Sequence, residues 1–142
     1  FKEYIKSVLA NAKILSETLK NNGFKIYSGG TDTHLMLVDL RPFSVKGNVA
    51  AESLCRANIT CNKNGIPFDT ESPMITSGIR LGSQAATTRG FGLKEFQKVG
   101  ELITKTIKGL SENSSDNSKV ENDVRKEVIE LCATFPIYKH LW

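Results

Sequence analysis

The segment 75–82 (ITSGIRLG) holds the side chain of this sequence best suited to bind a small anion. Two glycines flank Arg80, and glycine lets a backbone approach a ligand closely. The planar guanidinium of arginine matches a carboxylate with two parallel hydrogen bonds. The apolar neighbours Ile79 and Leu81 indicate a partly buried strand, on which the charge needs a partner. A lone arginine is more often a surface residue or part of a structural ion pair, so residue types alone favour that interpretation.

A second polar cluster, 62–69 (NKNGIPFD), is followed by 71–74 (ESPM). Asparagine amides donate and accept hydrogen bonds together, which suits the edge of a heterocycle. Asn-Gly and Pro also form turns for conformational reasons alone. These residue types therefore favour a turn, with ligand binding as the alternative.

Two further motifs are less informative. The segment 28–34 (SGGTDTH) starts like a phosphate-binding loop but lacks the Lys-Ser/Thr pair and the glycine spacing of that motif. His34 precedes a predicted buried strand, and we interpret it as a hydrogen-bonded structural residue rather than a catalytic base. Arg89, in TTRGF (87–91), is interpreted as a salt-bridge partner just before a helix, where a glycine turn is needed.

Length and composition indicate one domain, or a large part of one, with 142 residues and 15.7 kDa. Hydrophobic residues at 39% and charged residues at 24% are near the globular average, which excludes global disorder and a fibrous repeat. No apolar run approaches the roughly 20 residues of a membrane span. The chain starts at Phe1 inside a predicted helix, without an initiator Met or a signal peptide, which suggests a piece of a longer protein.

The net charge of +4 is mild evidence for an anionic partner, but the Lys and Arg residues are scattered and indicate a solvated surface. Three cysteines without a CxxC pair, and only two histidines, argue against a zinc site. Reduced thiols in a cytoplasmic compartment are the simplest interpretation.

The hydrophobic spacing predicts helices over 1–22, 47–57 and 93–110, and a last helix between Ser118 and Pro136. Short apolar runs predict strands over 24–27, 35–40, 58–61 and 75–81, with a turn at 28–30 and a long irregular stretch over 62–74. A capping box is predicted between Ser118 and Glu121, after a polar exposed segment. This order of elements predicts an α+β fold, with a small and mostly antiparallel sheet and helices packed on one side.

Four segments in this order resemble the C-terminal small domain of serine hydroxymethyltransferase, of the bacterial cytoplasmic type. They are SGGTDTHLMLVDLR (28–41), RANITCNKNGIPFD (56–69), SPMITSGIRLG (72–82) and TTRGF (87–91). The resemblance implies the small domain of an aspartate-aminotransferase-type, fold type I pyridoxal-phosphate enzyme. Residues 1–22 would be the interdomain helix and 23–142 the small domain. The large domain, with the lysine that binds the cofactor, would lie outside this chain.

The resemblance also implies the reaction, in which the hydroxymethyl carbon of serine passes to tetrahydrofolate and gives glycine and 5,10-methylenetetrahydrofolate. Arg80 matches the family arginine that binds the substrate carboxylate, and Asn64 matches a residue near the pterin of the folate. Ser72, Pro73 and Met74 match a folate-contacting tripeptide that usually ends in Phe, and Ser83-Gln84 stands where Thr-Pro is usual.

The same resemblance implies that pyridoxal 5'-phosphate is bound mainly by the large domain, with no catalytic residue and no metal in this chain. We therefore expect this chain alone to be inactive, and the full-length protein to be a homodimer or tetramer without nucleic-acid or membrane partners. The alternative is a freestanding basic module that binds nucleic acid or another anion, although no basic stripe with interleaved aromatics supports it. The enzyme interpretation requires Arg80 and Asn64 on the same exposed edge; on opposite faces they could not share a site.

Overall fold

The structure, a computed structural model, describes residues 1–27 and 32–137. Five α-helices are present in this part of the chain: α1 (Lys2–Asn21), α2 (Gly47–Arg56), α3 (Gln84–Arg89), α4 (Leu93–Glu112) and α5 (Ser118–Ala133). Its four strands are β1 (Lys25–Ile26), β2 (Leu35–Asp39), β3 (Asn62–Asn64) and β4 (Gly78–Gly82), and a short 3-10 helix spans Arg41–Phe43. The turn predicted over 28–30 and the tail after residue 137 lie outside the described residues.

The strands form one antiparallel sheet in the order β1-β2-β4-β3. In its centre Met36 pairs with Leu81 and Val38 with Ile79. These four side chains are buried and belong to the main hydrophobic core. The strand predicted over 35–40 is confirmed as β2, which lies between β1 and β4.

The helices cover the face of the sheet that carries these apolar side chains. Leu15 and Leu19 of α1 and Phe96 and Ile103 of α4 join the same core as the sheet residues. Helices α1 and α4 approach closely at Gly100. A Cβ at this position would lie only 2.7 Å from Thr18 Cγ2, so the contact requires glycine. The described residues therefore form the predicted α+β fold, with an antiparallel sheet and helices on one side.

The first helix ends where the sequence predicts. Gly23 follows it with φ +96°, a left-handed conformation that glycine adopts without strain. The apolar spacing predicts one buried face with six members, of which four are buried: Val8, Ala12, Leu15 and Leu19. Ile5 and Leu9 belong to the same predicted face but are exposed. None of the described helices combines the length and apolar character that a membrane crossing requires.

Two predictions about the short elements are wrong. The strand expected over 58–61 begins only at Asn62, because a turn at Asn58 with φ +67° follows α2. Part of the stretch predicted as irregular over 62–74 is therefore the edge strand β3. Helix α3 was not predicted, since its six residues QAATTR carry no apolar stripe; its C-terminal Gly90, with φ +115°, is the one local signal.

The capping box predicted at the start of α5 is also wrong. Ser118 Oγ donates a hydrogen bond to Asp116 Oδ1 instead of capping the helix. Glu121 points inward, where it accepts hydrogen bonds from Ser53 Oγ, Arg56 Nε and Arg56 Nη2. A buried carboxylate needs such partners more than the helix end needs a reciprocal cap, so tertiary contacts decide the conformation of Glu121.

We expect Glu121→Gln to lower the free energy of unfolding by about 2 kcal/mol at pH 7, because a charged acceptor is lost beside Arg56. The hydrogen bonds from Arg56 and Ser53 hold the pKa of Glu121 below its usual range. A carboxyl with a depressed folded pKa stabilises above its unfolded pKa of about 4.3, and this contribution is lost as the pH falls through the folded pKa. Urea denaturation at pH 7 and pH 3 should therefore show the difference shrinking in acid.

The matched control is Glu130→Gln, on the exposed side of the same helix. It should change the stability by less than about 0.5 kcal/mol at either pH. An equal loss in both variants would contradict the structural role of Glu121.

Candidate functional site

The face of the sheet opposite the helices carries the predicted binding residues. Residues paired across antiparallel strands point to the same side, so Leu37, Arg80 and Asn62 share this open face. Two residues along, Asn64 pairs with Gly78 and lies on the same side. Arg80 and Asn64 are diagonal neighbours on adjacent strands, and residues in this relation lie roughly 7–8 Å apart in antiparallel sheets. The two residues therefore lie on one face of the sheet and not on opposite faces, with Arg80 on an inner strand and Asn64 on the edge strand.

Arg80 differs from the other arginines in its contacts. Arg41 is paired with Asp39, and Arg56 with Glu121. Arg89 donates to two carbonyl oxygens, and Arg125 donates to the carbonyl oxygen of Arg56. Across residues 1–27 and 32–137, the exposed guanidinium of Arg80 has no hydrogen-bond or ion-pair partner. Its planar fork is free to bind an anion.

The glycines beside Arg80 are required by the packing of the strands themselves. A Cβ at Gly78 would lie 2.8 Å from Ile66 Cγ2 and Val38 O, and 2.9 Å from Asn64 O. A Cβ at Gly82 would lie 3.0 Å from Leu35 Cδ2. The sequence suggests that these glycines let the backbone approach a ligand. In the structure they let it approach neighbouring strands and side chains of this chain.

Asn64 is half-buried at the end of the edge strand β3. Its Nδ2 donates to Gly65 O at 2.9 Å, while Oδ1 and the second N–H have no partner within the described ranges. One donor and one acceptor remain side by side, which is the pattern that a heterocycle edge can match.

Ser72, Pro73 and Met74 are all exposed in the loop that joins β3 to β4. The carbonyl oxygen of Met74 accepts a hydrogen bond from Lys63 Nζ at 2.8 Å. Among the described residues no hydrogen bond joins these three to Arg80 or Asn64. The structure thus brings Arg80 and Asn64 together on one face and places the tripeptide in the adjoining loop.

The structure adds two residues, Asn62 and Asp69, to the region around Arg80 and Asn64. Asn62 lies directly opposite Arg80, a pairing that the polar cluster 62–69 does not indicate by itself. The alternation of Asn62 and Asn64 around Lys63 is the signal that could have revealed it. Asp69 organises the β3–β4 loop through four hydrogen bonds, which the sequence does not reveal.

The remaining candidates are structural. Arg89 ends α3 and is followed by the expected glycine turn at Gly90 before α4. Its donors reach Phe135 O and Cys132 O, and among residues 1–27 and 32–137 it forms no salt bridge, contrary to the prediction. The backbone oxygen of His34 accepts from Ser83 N, but its ring has no hydrogen bond within the part of the chain described. The three cysteines are free thiols, and burial raises the pKa of Cys61 to about 11.

A sequence model of one protein family, described as serine hydroxymethyltransferase, matches residues 1–103. This range contains both the open face and the β3–β4 loop. The chain belongs to the serine hydroxymethyltransferase family.

Curated relatives agree with this assignment. A serine hydroxymethyltransferase of Pelagibacter ubique (strain HTCC1062) is 84% identical over 141 residues, which cover 99% of this chain and 32% of the relative. That of Marinomonas sp. (strain MWYL1) is 62% identical over 139 residues, 98% of this chain and 33% of the relative. That of Paramagnetospirillum magneticum (strain ATCC 700264 / AMB-1) is 60% identical with the same coverage. The chain therefore spans about a third of the length of these relatives.

We expect Gly78→Ala to lower the free energy of unfolding by about 1–3 kcal/mol, because the added Cβ meets two backbone carbonyls. The matched control is Gly65→Ala, in the loop that precedes β4, where the nearest atom to a Cβ is 3.9 Å away. That variant should be neutral or stabilise the chain by up to about 1 kcal/mol. Chemical denaturation of both variants is the measurement, and equal stabilities would contradict the packing role of Gly78.

Proposed function

We propose that this chain forms the part of a serine hydroxymethyltransferase that holds the amino-acid carboxylate and one side of the folate. The full-length enzyme would transfer the hydroxymethyl carbon of serine to tetrahydrofolate, giving glycine and 5,10-methylenetetrahydrofolate. The observation that carries the proposal is the free guanidinium of Arg80 on the open face of the sheet. Family membership favours this function over a freestanding basic binding module.

Arg80 would bind the substrate carboxylate through two parallel hydrogen bonds. Such a clamp restricts rotation about the bond between the amino nitrogen and the α-carbon. The bond that breaks is then held in one orientation, and orientation lowers the barrier. Lysine carries the same charge without the planar fork, so it would bind the carboxylate but orient it poorly.

Tetrahydrofolate would be bound by Asn64 together with Ser72, Pro73 and Met74. The free Oδ1 and N–H of Asn64 suit the donor and acceptor edge of a pterin. Met74 is 73% exposed and offers apolar contact without an aromatic ring face.

Pyridoxal phosphate would supply the electron sink for the carbanion at the α-carbon. The Arg80 guanidinium, which has no partner among the residues described, fits the carboxylate of an amino acid that reacts on this cofactor. The phosphate and the ring of the cofactor would be held mainly by the part of the enzyme that lies beyond this chain. The role of this chain is to bind and orient the substrates.

The start of α1 supports contact with a further part of the protein. Phe1 is 95% exposed, and Ile5 and Leu9 are about two-fifths exposed, although all are apolar. We propose that α1 leads from a large domain into this small domain. We also propose a cytoplasmic homodimer or tetramer for the full-length protein.

The chain alone should not convert serine to glycine when pyridoxal phosphate and tetrahydrofolate are added. The physical reason is that one wall of a site orients a substrate but supplies neither the covalent cofactor anchor nor the proton transfers. Product analysis for glycine, with the intact Pelagibacter ubique relative as the positive control, is the measurement. Turnover at rates near that control would exclude the proposed division of roles.

A full-length hybrid tests the role of Arg80. In this hybrid the present chain replaces the matching 141 residues of the Pelagibacter ubique relative. Arg80→Lys should lower kcat/KM for serine by about 10- to 100-fold, since one charge-assisted hydrogen bond and its geometry are lost. Steady-state kinetics at saturating tetrahydrofolate is the measurement.

The control variant is Arg125→Lys, on α5, where the guanidinium contacts Asn122 and a backbone oxygen. Its kcat/KM should stay within about twofold of the unmodified hybrid. If Arg80→Lys behaves in the same way, Arg80 does not bind the substrate carboxylate.

A further inference from the structure

The carboxylate of Asp69 is the most heavily hydrogen-bonded group of the β3–β4 loop. Its Oδ2 accepts from Ser77 N at 2.8 Å and from Ile66 N at 3.2 Å. Its Oδ1 accepts from Ser77 Oγ at 2.8 Å and from Glu71 N at 2.9 Å. One half-buried side chain thus satisfies four donors from three different parts of the loop.

These donors connect the two strands that carry the site. Ile66 lies two residues after Asn64, and Ser77 lies three residues before Arg80. Glu71 immediately precedes the exposed tripeptide that starts at Ser72. The pairing of Asn64 with Gly78 already holds the ends of the loop together. Inside these ends, the Asp69 carboxylate joins Ile66 and Ser77 to Glu71, the residue before the tripeptide.

Other contacts hold the second half of the loop against α2. Gly47 N donates to Thr76 O, Asn48 N donates to Ile75 O, and Lys46 forms an ion pair with Glu71. None of these contacts includes the first half of the loop, which follows Asn64. The first half is held by the packing of Ile66 against Gly78 and by the hydrogen bonds of Asp69 to Ile66 N and Ser77.

The chemistry requires a carboxylate at this position. All four partners are N–H or O–H donors, and an ionised carboxylate is a pure acceptor at both oxygens. The backbone N–H of Glu71 and the donors of Ser77 hold the pKa of Asp69 far below its usual range. It therefore stays ionised throughout the neutral range in which the enzyme would work.

We propose that Asp69 is a positioning residue for tetrahydrofolate: it holds the loop with Ser72, Pro73 and Met74 in register with Asn64 and Arg80. This inference rests on the proposed function, in which these residues bind the two substrates. Asp69 itself touches neither substrate. Its substitution should therefore weaken folate binding through the loop and leave the carboxylate clamp, which lies on the central strand, nearly intact.

Asp69→Asn in the full-length hybrid is the test. The asparagine keeps one acceptor oxygen and replaces the other by an NH₂ group, which faces two N–H or O–H donors instead of accepting from them. The KM for tetrahydrofolate and its dissociation constant by calorimetric titration should rise about tenfold. The KM for serine should stay within twofold.

Asp116→Asn is the matched control. Asp116 Oδ1 also accepts from the N–H and Oγ of a serine, Ser118, but it lies in the connection between α4 and α5. Loss of that carboxylate should leave both KM values unchanged. A rise in the KM for tetrahydrofolate in both variants would show a general stability effect and overturn the proposal.

Ser77→Ala provides a milder second variant, which keeps the proposal falsifiable if Asp69→Asn does not fold. It removes one of the four hydrogen bonds and should raise the dissociation constant for tetrahydrofolate about threefold. No change there, or an equal rise in the KM for serine, would contradict the positioning role.

The three variants Asn64→Ala, Arg80→Lys and Asp69→Asn distinguish a failure of the Asp69 inference from a failure of the proposed function. If Asn64→Ala weakens tetrahydrofolate binding and Arg80→Lys weakens serine binding while Asp69→Asn changes neither, only the Asp69 inference is wrong. If Asn64→Ala and Arg80→Lys both have no effect, the proposed function itself fails.

Discussion

The close packing around Gly78 is the constraint on which the rest of the site depends. Its backbone lies against Val38 O on one side and Asn64 O on the other, at distances that leave no room for a Cβ. This contact allows β4 to pair with β2 and β3 together. Because the side-chain period of a strand is two, this register places Ile79 and Leu81 in the core and Arg80 on the opposite face. A shift by one residue would bury the guanidinium and expose the core side chains.

Electrostatic pairing elsewhere in the chain leaves Arg80 available. The neighbouring open-face carboxylate, Asp39, is 1% exposed and accepts hydrogen bonds from the guanidinium and the backbone N–H of Arg41. These bonds hold the pKa of Asp39 below its usual range, despite the opposing effect of burial. Since Asp39 is occupied by its own arginine, it does not compete for Arg80. An anion that reaches the open face therefore meets a guanidinium that none of the described carboxylates neutralises.

The sequence predicts what depends on periodicity and misses what depends on tertiary contacts. Helices α1, α2 and α4 and strand β2 follow from apolar spacing, because their buried faces are long enough to show a period. Helix α3 has no such face, and β3 is a polar edge strand whose existence depends on pairing with β4. Glu121 could be read as a capping residue because its partners, Ser53 and Arg56, lie more than sixty positions away. The placement of Arg80 beside Asn64 was anticipated only through the family resemblance, whereas the role of Asp69 required the structure.

The β3–β4 loop combines backbone strain with dense polar contacts. Phe68 and Thr76 have φ values of +57° and +62°, a region that costs residues with a Cβ roughly 1–2 kcal/mol each. Thr76 is β-branched, and its hydroxyl donates to Gly78 O at 2.9 Å, where Gly47 leaves the space that it needs. Strained residues of this kind persist where the surrounding contacts over-determine the conformation. The hydrogen bonds to Asp69 supply such contacts in the first half of the loop, and α2 supplies them in the second. A loop held in this way loses little conformational entropy when a ligand binds, so its exposed side chains can contribute most of their contact energy to affinity.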